Sequence, residues 1–133
     1  MKRKNATEYR GKASQAGDAY RRAMAEENYA AAMIAAGQCT ENLMKAFLAL
    51  HTKMSRKLEN SHNAKELFTE CRKYVEVKAY VSPLDLQDVT ESYYLSKNPG
   101  RMKTATYSWE AAHTAGCFAW QISQLLTLEK ETA

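Results

Sequence analysis

Apolar residues alternate with polar ones at steps of three and four along most of this chain, which is the spacing of one face of an α-helix. The pattern predicts two long helices, from about Ala6 to Glu26 and from about Tyr29 to Met54, with a break at Asn28. Regular steps of this kind favour antiparallel packing of the two helices. The two apolar stripes are Ala6, Tyr9, Ala13, Ala16, Tyr20 and Ala23, then Tyr29, Met33, Ala36, Thr40, Leu43, Phe47, Leu50 and Met54.

Capping signals divide the middle of the chain into shorter helices. Asn63 followed by Glu66 predicts the start of a third helix, after a polar loop over residues 55–60. Ser82 followed by Pro83 predicts the start of a fourth, because Ser caps a helix and Pro fits its first turn. The expected apolar positions are Leu67, Cys71, Tyr74 and Val75 in the third helix and Leu84, Leu86, Val89 and Tyr93 in the fourth.

The last predicted helix runs from about Tyr107 to Glu131, after a turn at residues 98–100. Two adjacent apolar stripes cover a wide arc of it, which predicts burial on two sides, in the bundle centre or in a dimer interface. In the second helix, Gly37 weakens the helix by about 1 kcal/mol relative to Ala. We therefore expect a partner helix to need the space at Gly37.

Length and composition add limits. The chain has 133 residues, with two prolines, five glycines and a net charge of +4. We predict one domain over residues 1–133, of all-α class: an up-down bundle of four to five helices, with two long antiparallel helices and a long C-terminal helix. No apolar run approaches the ~20 residues that span a membrane, so no membrane partner is expected. The three cysteines form no C-x-x-C pair and favour a reducing, cytoplasmic setting.

No metal site or cofactor is expected. Cys39, Cys71 and Cys117 lie on apolar helical faces, where buried, inert thiols are the rule, and we find no closely spaced Cys and His pairs of the zinc type. Glu110 and His113 have the Glu-x-x-His spacing of di-metal bundles, which however need two such motifs and further carboxylates. A His at the edge of the bundle is the simpler interpretation of His113.

Two segments resemble the HEPN family of small all-α domains. They are Cys39-Thr40-Glu41-Asn42-Leu43-Met44-Lys45-Ala46-Phe47-Leu48-Ala49-Leu50 and His62-Asn63-Ala64-Lys65-Glu66-Leu67. Family members often read A-x-E-x-x-L-K-A-L-L in the second helix and H-x-L-x-x-L at the start of the third. The order of long and short helices is similar over most of the chain. The positions that match specifically are Glu41, Lys45, Ala46, Leu48, His62 and Leu67.

Many HEPN proteins are metal-independent ribonucleases with an Arg, four to six residues and then a His near the start of the last helix. Here Arg101 precedes the last helix, but the next His, His113, is too far along. Arg56 and His62 have the spacing but lie before the third helix. The resemblance therefore implies the non-catalytic class: homodimeric subunits that bind a nucleotide or a partner, such as a nucleotidyltransferase or the other half of a toxin–antitoxin pair.

Two other functions stay open. One is a ribonuclease with an atypical site, either Arg56 with His62 or Arg101 with His113, acting on RNA. The other is an interaction bundle without a small ligand.

The candidate ligand-binding residues form two groups. Lys97, Arg101, Lys103 and Tyr107 surround the turn before the last helix, where aromatic rings beside cations suit a base and a phosphate, although the same residues suit core anchors and solvated charges. Glu41 and Lys45 have the i, i+4 spacing of an ordinary exposed ion pair. The resemblance gives this pair a second interpretation, a role beside a dimer cleft.

Overall fold

The computed structural model of the protein describes residues 5–75, 81–98 and 107–126. Within these ranges the chain forms an all-α helical bundle without β-strands, which confirms the predicted fold class. Six helices are present there, because a short one forms inside the expected loop before the third helix. They are α1 (Ala6–Ala25), α2 (Tyr29–His51), α3 (Arg56–Glu59), α4 (Ala64–Cys71), α5 (Pro83–Lys97) and α6 (Trp109–Leu125).

The turn between α1 and α2 brings these two helices together as an antiparallel hairpin. The Asn28 N–H donates to the Ala23 carbonyl at 2.8 Å, and the Glu27 N–H donates to the Met24 carbonyl at 3.1 Å. These two bonds form the Schellman motif, which ends a helix with one residue in the left-handed region. Glu27 is that residue, with φ of 57°. The Asn28 side chain then caps α2 by accepting from the Ala31 N–H.

α2 is the central helix of the bundle and packs against α1, α4, α5 and α6. Six consecutive residues in its second half, 43–48, are buried, and Met44 and Leu48 are fully enclosed. Burying side chains of this size contributes about 1.5–3 kcal/mol each. We expected the last helix to be a candidate for the bundle centre. The structure instead places α2 there.

Gly37 allows α5 to approach α2 closely, as the sequence predicted. A Cβ atom built on Gly37 would lie 2.8 Å from the Ser92 Cβ, which is closer than real Cβ contacts. Ser92 is itself buried, and its hydroxyl donates to the Asp88 carbonyl of the preceding turn. The absence of a side chain at Gly37 therefore sets the spacing of these two helices.

Local capping explains where most helices begin and end. Asn63 accepts from the Glu66 N–H and Ser82 from the Asp85 N–H, so the starts of α4 and α5 are confirmed. α2 ends at His51 rather than at Met54, because Thr52 adopts an extended conformation. In the expected loop, Ser55 caps the short helix α3 through the Leu58 N–H. α6 begins at Trp109, since Ser108 caps it, and ends at Leu125. The rest of the predicted helix, from residue 127 to Glu131, lies outside the described residues.

Within the single chain the bundle buries one face of α6, so the predicted burial on two sides in the bundle centre is wrong, whereas its alternative, burial in a dimer interface, stays a prediction. Ala112, Phe118, Ala119 and Ile122 face the core. Trp109 and Trp120, however, are 49% and 67% exposed. The expectation of three buried thiols is also wrong in part, because only Cys71 is buried, Cys39 is half-buried and Cys117 is exposed. An apolar arc in the sequence does not distinguish a buried face from an unpartnered one.

Candidate functional site

Glu41 is the centre of a polar cluster that joins α2 to the segment preceding α4. One carboxylate oxygen, Oε1, lies 3.0 Å from Nδ1 of His62, and the other, Oε2, lies 3.4 Å from Nζ of Lys45. Glu41 and Lys45 share a face of α2 because they are one helical turn apart. His62 reaches them from the residue before Asn63, the cap of α4.

The pair Glu41–Lys45 is largely buried, so the interpretation as an ordinary exposed ion pair is wrong. The side chains are 14% and 5% exposed, respectively. The Lys45 ammonium also donates to the main-chain carbonyl of Glu59 at 2.8 Å, at the last residue of α3. A buried charge is tolerated when its partners and hydrogen bonds replace water. Lys45 thereby fixes the end of α3 against the middle of α2.

His62 continues into a stack of side chains on α5. Its ring lies flat on that of Tyr93, with centroids 3.5 Å apart and planes inclined by 6°. The Lys97 ammonium lies over the same Tyr93 ring, 5.6 Å from its centroid. Tyr93 and Lys97 share a face because they are four residues apart. The cluster therefore runs from Lys45 in the core through Glu41, His62 and Tyr93 to the exposed Lys97.

A polar cleft of about 570 Å³ opens beside this cluster. Helices α1 and α2 form two of its sides, and the segment around Asn60 and His62, with Tyr93 of α5, completes it. The lining includes carboxamides, hydroxyls and both signs of charge. The side chains that face the cleft are Tyr9, Lys12, Gln15, Ala16, Ala19, Gln38, Glu41, Asn42, Lys45, Glu59, Asn60, His62 and Tyr93.

Tyr9 and His62 bring a phenol and an imidazole to the cleft. Burial raises the pKa of the Tyr9 hydroxyl above its usual value, and the carboxylates of Glu59, Glu8 and Glu41 raise it further, so Tyr9 stays protonated. His62 meets the Glu41 carboxylate through Nδ1, and a carboxylate oxygen accepts, so Nδ1 is the donor nitrogen in this contact.

The structure brings part of the predicted ligand-binding set together. Glu41 and Lys45 line the cleft, and Lys97 is connected to it through Tyr93. Tyr107 is not a lining residue; its hydroxyl is buried and has no hydrogen-bond partner among the described residues. Arg101 and Lys103 lie outside the described residues.

The two Arg and His pairs considered for ribonuclease chemistry are not assembled in this cleft. His62 lines it, but Arg56 is exposed at the start of α3 and is not a lining residue. His113 lies on α6, which contributes nothing to the cleft lining. Its ring stacks on Trp109, and its Nε2 is 3.5 Å from the Cys117 sulfur.

Sequence reasoning missed the stack of His62 on Tyr93 and the carboxamides of the cleft. Tyr93 was assigned to the apolar stripe of its helix and to the aromatic rings beside Lys97, but nothing near it in sequence indicates a partner 31 residues away. Gln15, Gln38 and Asn42 are ordinary polar positions of amphipathic helices. The packing of α1 against α2 brings all three to the cleft, and this tertiary arrangement cannot be predicted from the local sequence.

Comparison with family models, with curated protein sequences and with solved structures finds no match for this chain. Within residues 5–75, 81–98 and 107–126, no helix combines the length and apolar character needed to cross a bilayer. The interpretation of the cleft therefore depends on its own geometry.

Proposed function

We propose that this protein is a HEPN-like helical domain that binds a nucleotide in the cleft beside Glu41 and does not cleave RNA. The observation that carries the proposal is the continuous contact from Lys45 through Glu41 and His62 to Tyr93 along one side of a polar cleft. These four residues come from three segments: α2, the α3–α4 connection and α5. Such convergence of polar groups is typical of a ligand site.

The size and chemistry of the cleft support a nucleotide as the ligand. A volume of about 570 Å³ lies within the ~300–1,000 Å³ range of small-molecule sites. A base stacked on the outer face of His62 would extend the His62–Tyr93 stack, and stacking of this kind contributes about 1–3 kcal/mol per base. The carboxamides of Gln15, Gln38 and Asn60 offer donors and acceptors to the base edges.

The charges near the cleft support a phosphate-bearing ligand. Lys12 is an exposed lining residue on α1, and Lys97 lies at the Tyr93 end of the cluster. Ammonium groups bind phosphate as point charges. Lys45 already contacts Glu41 and the Glu59 carbonyl, so in this proposal it positions Glu41 rather than contacting phosphate itself.

The non-catalytic form of the proposal is supported by the position of Arg56. Cleavage by the ribose 2′-hydroxyl needs a cation to stabilise phosphate charge next to the acid–base group. Arg56 does not line the cleft, and Glu41 occupies one nitrogen of His62. We include in the proposal the homodimer and the nucleotidyltransferase or toxin–antitoxin partner that the family resemblance implies.

Calorimetric titration of the purified chain with adenosine and guanosine mono-, di- and triphosphates tests whether a nucleotide binds and which one. Thermal unfolding at a nucleotide concentration 100 times the dissociation constant should show about 2.7 kcal/mol of added stability. His62→Ala and Lys97→Ala should each weaken binding by about tenfold or more, the equivalent of 1.4 kcal/mol. His51→Ala and Lys65→Ala, exposed changes outside the cleft, should leave binding unchanged.

Two results would overturn the proposal. If no nucleotide at millimolar concentration gave a heat of binding or raised the thermal stability, the proposed nucleotide binding would be wrong and an interaction bundle without a small ligand would be favoured. Cleavage of bulk RNA that is lost in His62→Ala would replace the non-catalytic assignment with a ribonuclease one. Light scattering of the same preparation measures whether the chain is dimeric.

A further inference from the structure

An exposed histidine and an exposed cysteine form a close pair on the outer face of α6. His113 and Cys117 are four residues apart, and Nε2 of the histidine lies 3.5 Å from Sγ of the cysteine. Both side chains are exposed. No residue of α6 lines the cleft beside Glu41, so this pair is separate from the proposed nucleotide site.

The separation of the two atoms is that of two ligands on one zinc ion. With Zn–N of about 2.0–2.1 Å, Zn–S of about 2.3 Å and tetrahedral angles, the nitrogen and sulfur ligands of one ion are ~3.5 Å apart. The 3.5 Å between Nε2 of His113 and Sγ of Cys117 equals this separation. The sequence analysis did not predict this pair, because residues four positions apart meet only when the segment between them is helical.

The ring of His113 is already oriented for this role. The indole of Trp109 stacks on it, with centroids 4.6 Å apart and planes inclined by 9°. The rotation of the imidazole is therefore limited while its edge, with Nε2, faces Cys117. Orientation of a histidine ligand by a neighbouring group is typical of metal sites.

The described part of one chain supplies two of the four ligands. Within the described residues there is no group of three or more His, Cys, Asp or Glu side chains that is arranged to hold a metal ion. A structural zinc ion takes four ligands, commonly two cysteines and two histidines. A second copy related by a two-fold axis contributes the same pair, which completes the set.

We propose that the α6 faces of two copies of this chain share one Zn²⁺ ion, held by His113 and Cys117 of each. On binding, each Cys117 thiol releases its proton to solvent and becomes a thiolate, and each imidazole binds as the neutral ring. Trp109 and Trp120, at 49% and 67% exposure, lie on either side of the pair along α6. They provide apolar surface that the second copy covers.

Titration of the reduced, metal-free protein with Co²⁺ and with Zn²⁺ tests the proposal. We expect saturation at one metal ion for every two chains, with the visible bands of tetrahedral Co²⁺ and a near-ultraviolet thiolate-to-cobalt band. Cys117→Ser and His113→Ala should each abolish both spectral features. Cys39→Ser and His51→Ala, which change a cysteine and a histidine on α2, should titrate like the wild type.

Several results would overturn it. Saturation at one ion per chain, no tetrahedral spectrum at any metal concentration, or a spectrum that survives Cys117→Ser would each exclude the shared site. Circular dichroism of the two variants establishes that they fold, which their exposed positions lead us to expect. Nucleotide binding in the cleft is measured separately, so either proposal can fail without the other.

Discussion

The ammonium of Lys45, in the middle of α2, donates a hydrogen bond of 2.8 Å to the carbonyl of Glu59, the last residue of α3. The same nitrogen is 3.4 Å from the Glu41 carboxylate. Lys45→Met keeps most of the apolar stem and removes the charge. It leaves the buried Glu41 carboxylate and the Glu59 carbonyl without this donor. We therefore expect the free energy of unfolding, measured in urea, to fall by about 3 kcal/mol.

Lys73→Met is the matched control, because Lys73 also pairs with a carboxylate, that of Glu70 at 2.9 Å, but is 59% exposed. Exposed pairs contribute about 0–1 kcal/mol. If Lys45→Met lowered the free energy of unfolding no more than Lys73→Met does, the buried cluster would not stabilise the fold.

The close approach of α2 and α5 makes Gly37 intolerant of a methyl group. Gly37→Ala adds a Cβ 2.8 Å from the Ser92 Cβ, and overpacking of this kind costs about 1–3 kcal/mol, more than the better helix propensity of Ala returns. Gly11→Ala in α1, where nothing lies within 4 Å of the new atom, should stabilise the protein by up to about 1 kcal/mol. Denaturant unfolding of both variants measures the difference, and equal effects would contradict the packing described between α2 and α5.

The turn after α1 stores a small conformational cost at Glu27. Its φ of 57° lies in the left-handed region, which glycine adopts without steric penalty. Glu27→Gly should therefore raise the free energy of unfolding by about 0.4–1 kcal/mol. Glu26→Gly, at the preceding residue with φ of −86°, should lower it or leave it unchanged. Thermal unfolding measures both variants. If Glu27→Gly were less stable than Glu26→Gly, the left-handed conformation at residue 27 would be contradicted.

In the metal-free protein, the three cysteines should react with iodoacetamide in the order Cys117, Cys39, Cys71. Cys117 is exposed, whereas burial raises the pKa of the half-buried Cys39 thiol. Burial also raises the pKa of Cys71 to about 12, with a smaller contribution from Glu70. Because the thiolate is the reactive form, Cys71 should stay unlabelled in the folded protein up to about pH 9 and react only in denaturant.

Peptide mapping by mass spectrometry after timed labelling measures this order. Labelling in denaturant, where all three thiols are accessible, is the control for intrinsic reactivity. Labelling of Cys71 in the folded protein at a rate near that of Cys117 would contradict the packing of α4 on α2.

The helix starts were predictable because their determinants are local. Asn63 with Glu66 and Ser82 with Pro83 act within one helical turn, so the sequence contains all that is needed. The central position of α2 was not predictable, since periodicity marks one apolar face and does not reveal that Met44 and Lys45, off that face, are buried as well. The exposure of Trp109 and Trp120 depends on which helices pack on α6, and no local pattern encodes that.

The candidate site was predictable in part. Glu41, Lys45 and His62 were selected by their resemblance to one family, and the structure places all three in contact. The contact of Tyr93 with His62 was not predicted, because it joins residues 31 positions apart through the packing of α4 and α5. The prediction of an exposed Glu41–Lys45 pair was wrong since spacing alone does not report burial.

The burial of α2 on nearly all sides has a consequence for how this sequence can change over evolution. An α-helix turns by about 100° per residue, so one residue inserted near Gly37 would rotate everything after it relative to everything before. Leu43, Lys45 and Leu48 are all buried and, at about 100° per residue, lie on different sides of α2, so no single compensating shift of one partner helix would restore them all. Length variation among homologues is therefore expected in the connections between helices, and α2 should keep its length even where its residues differ.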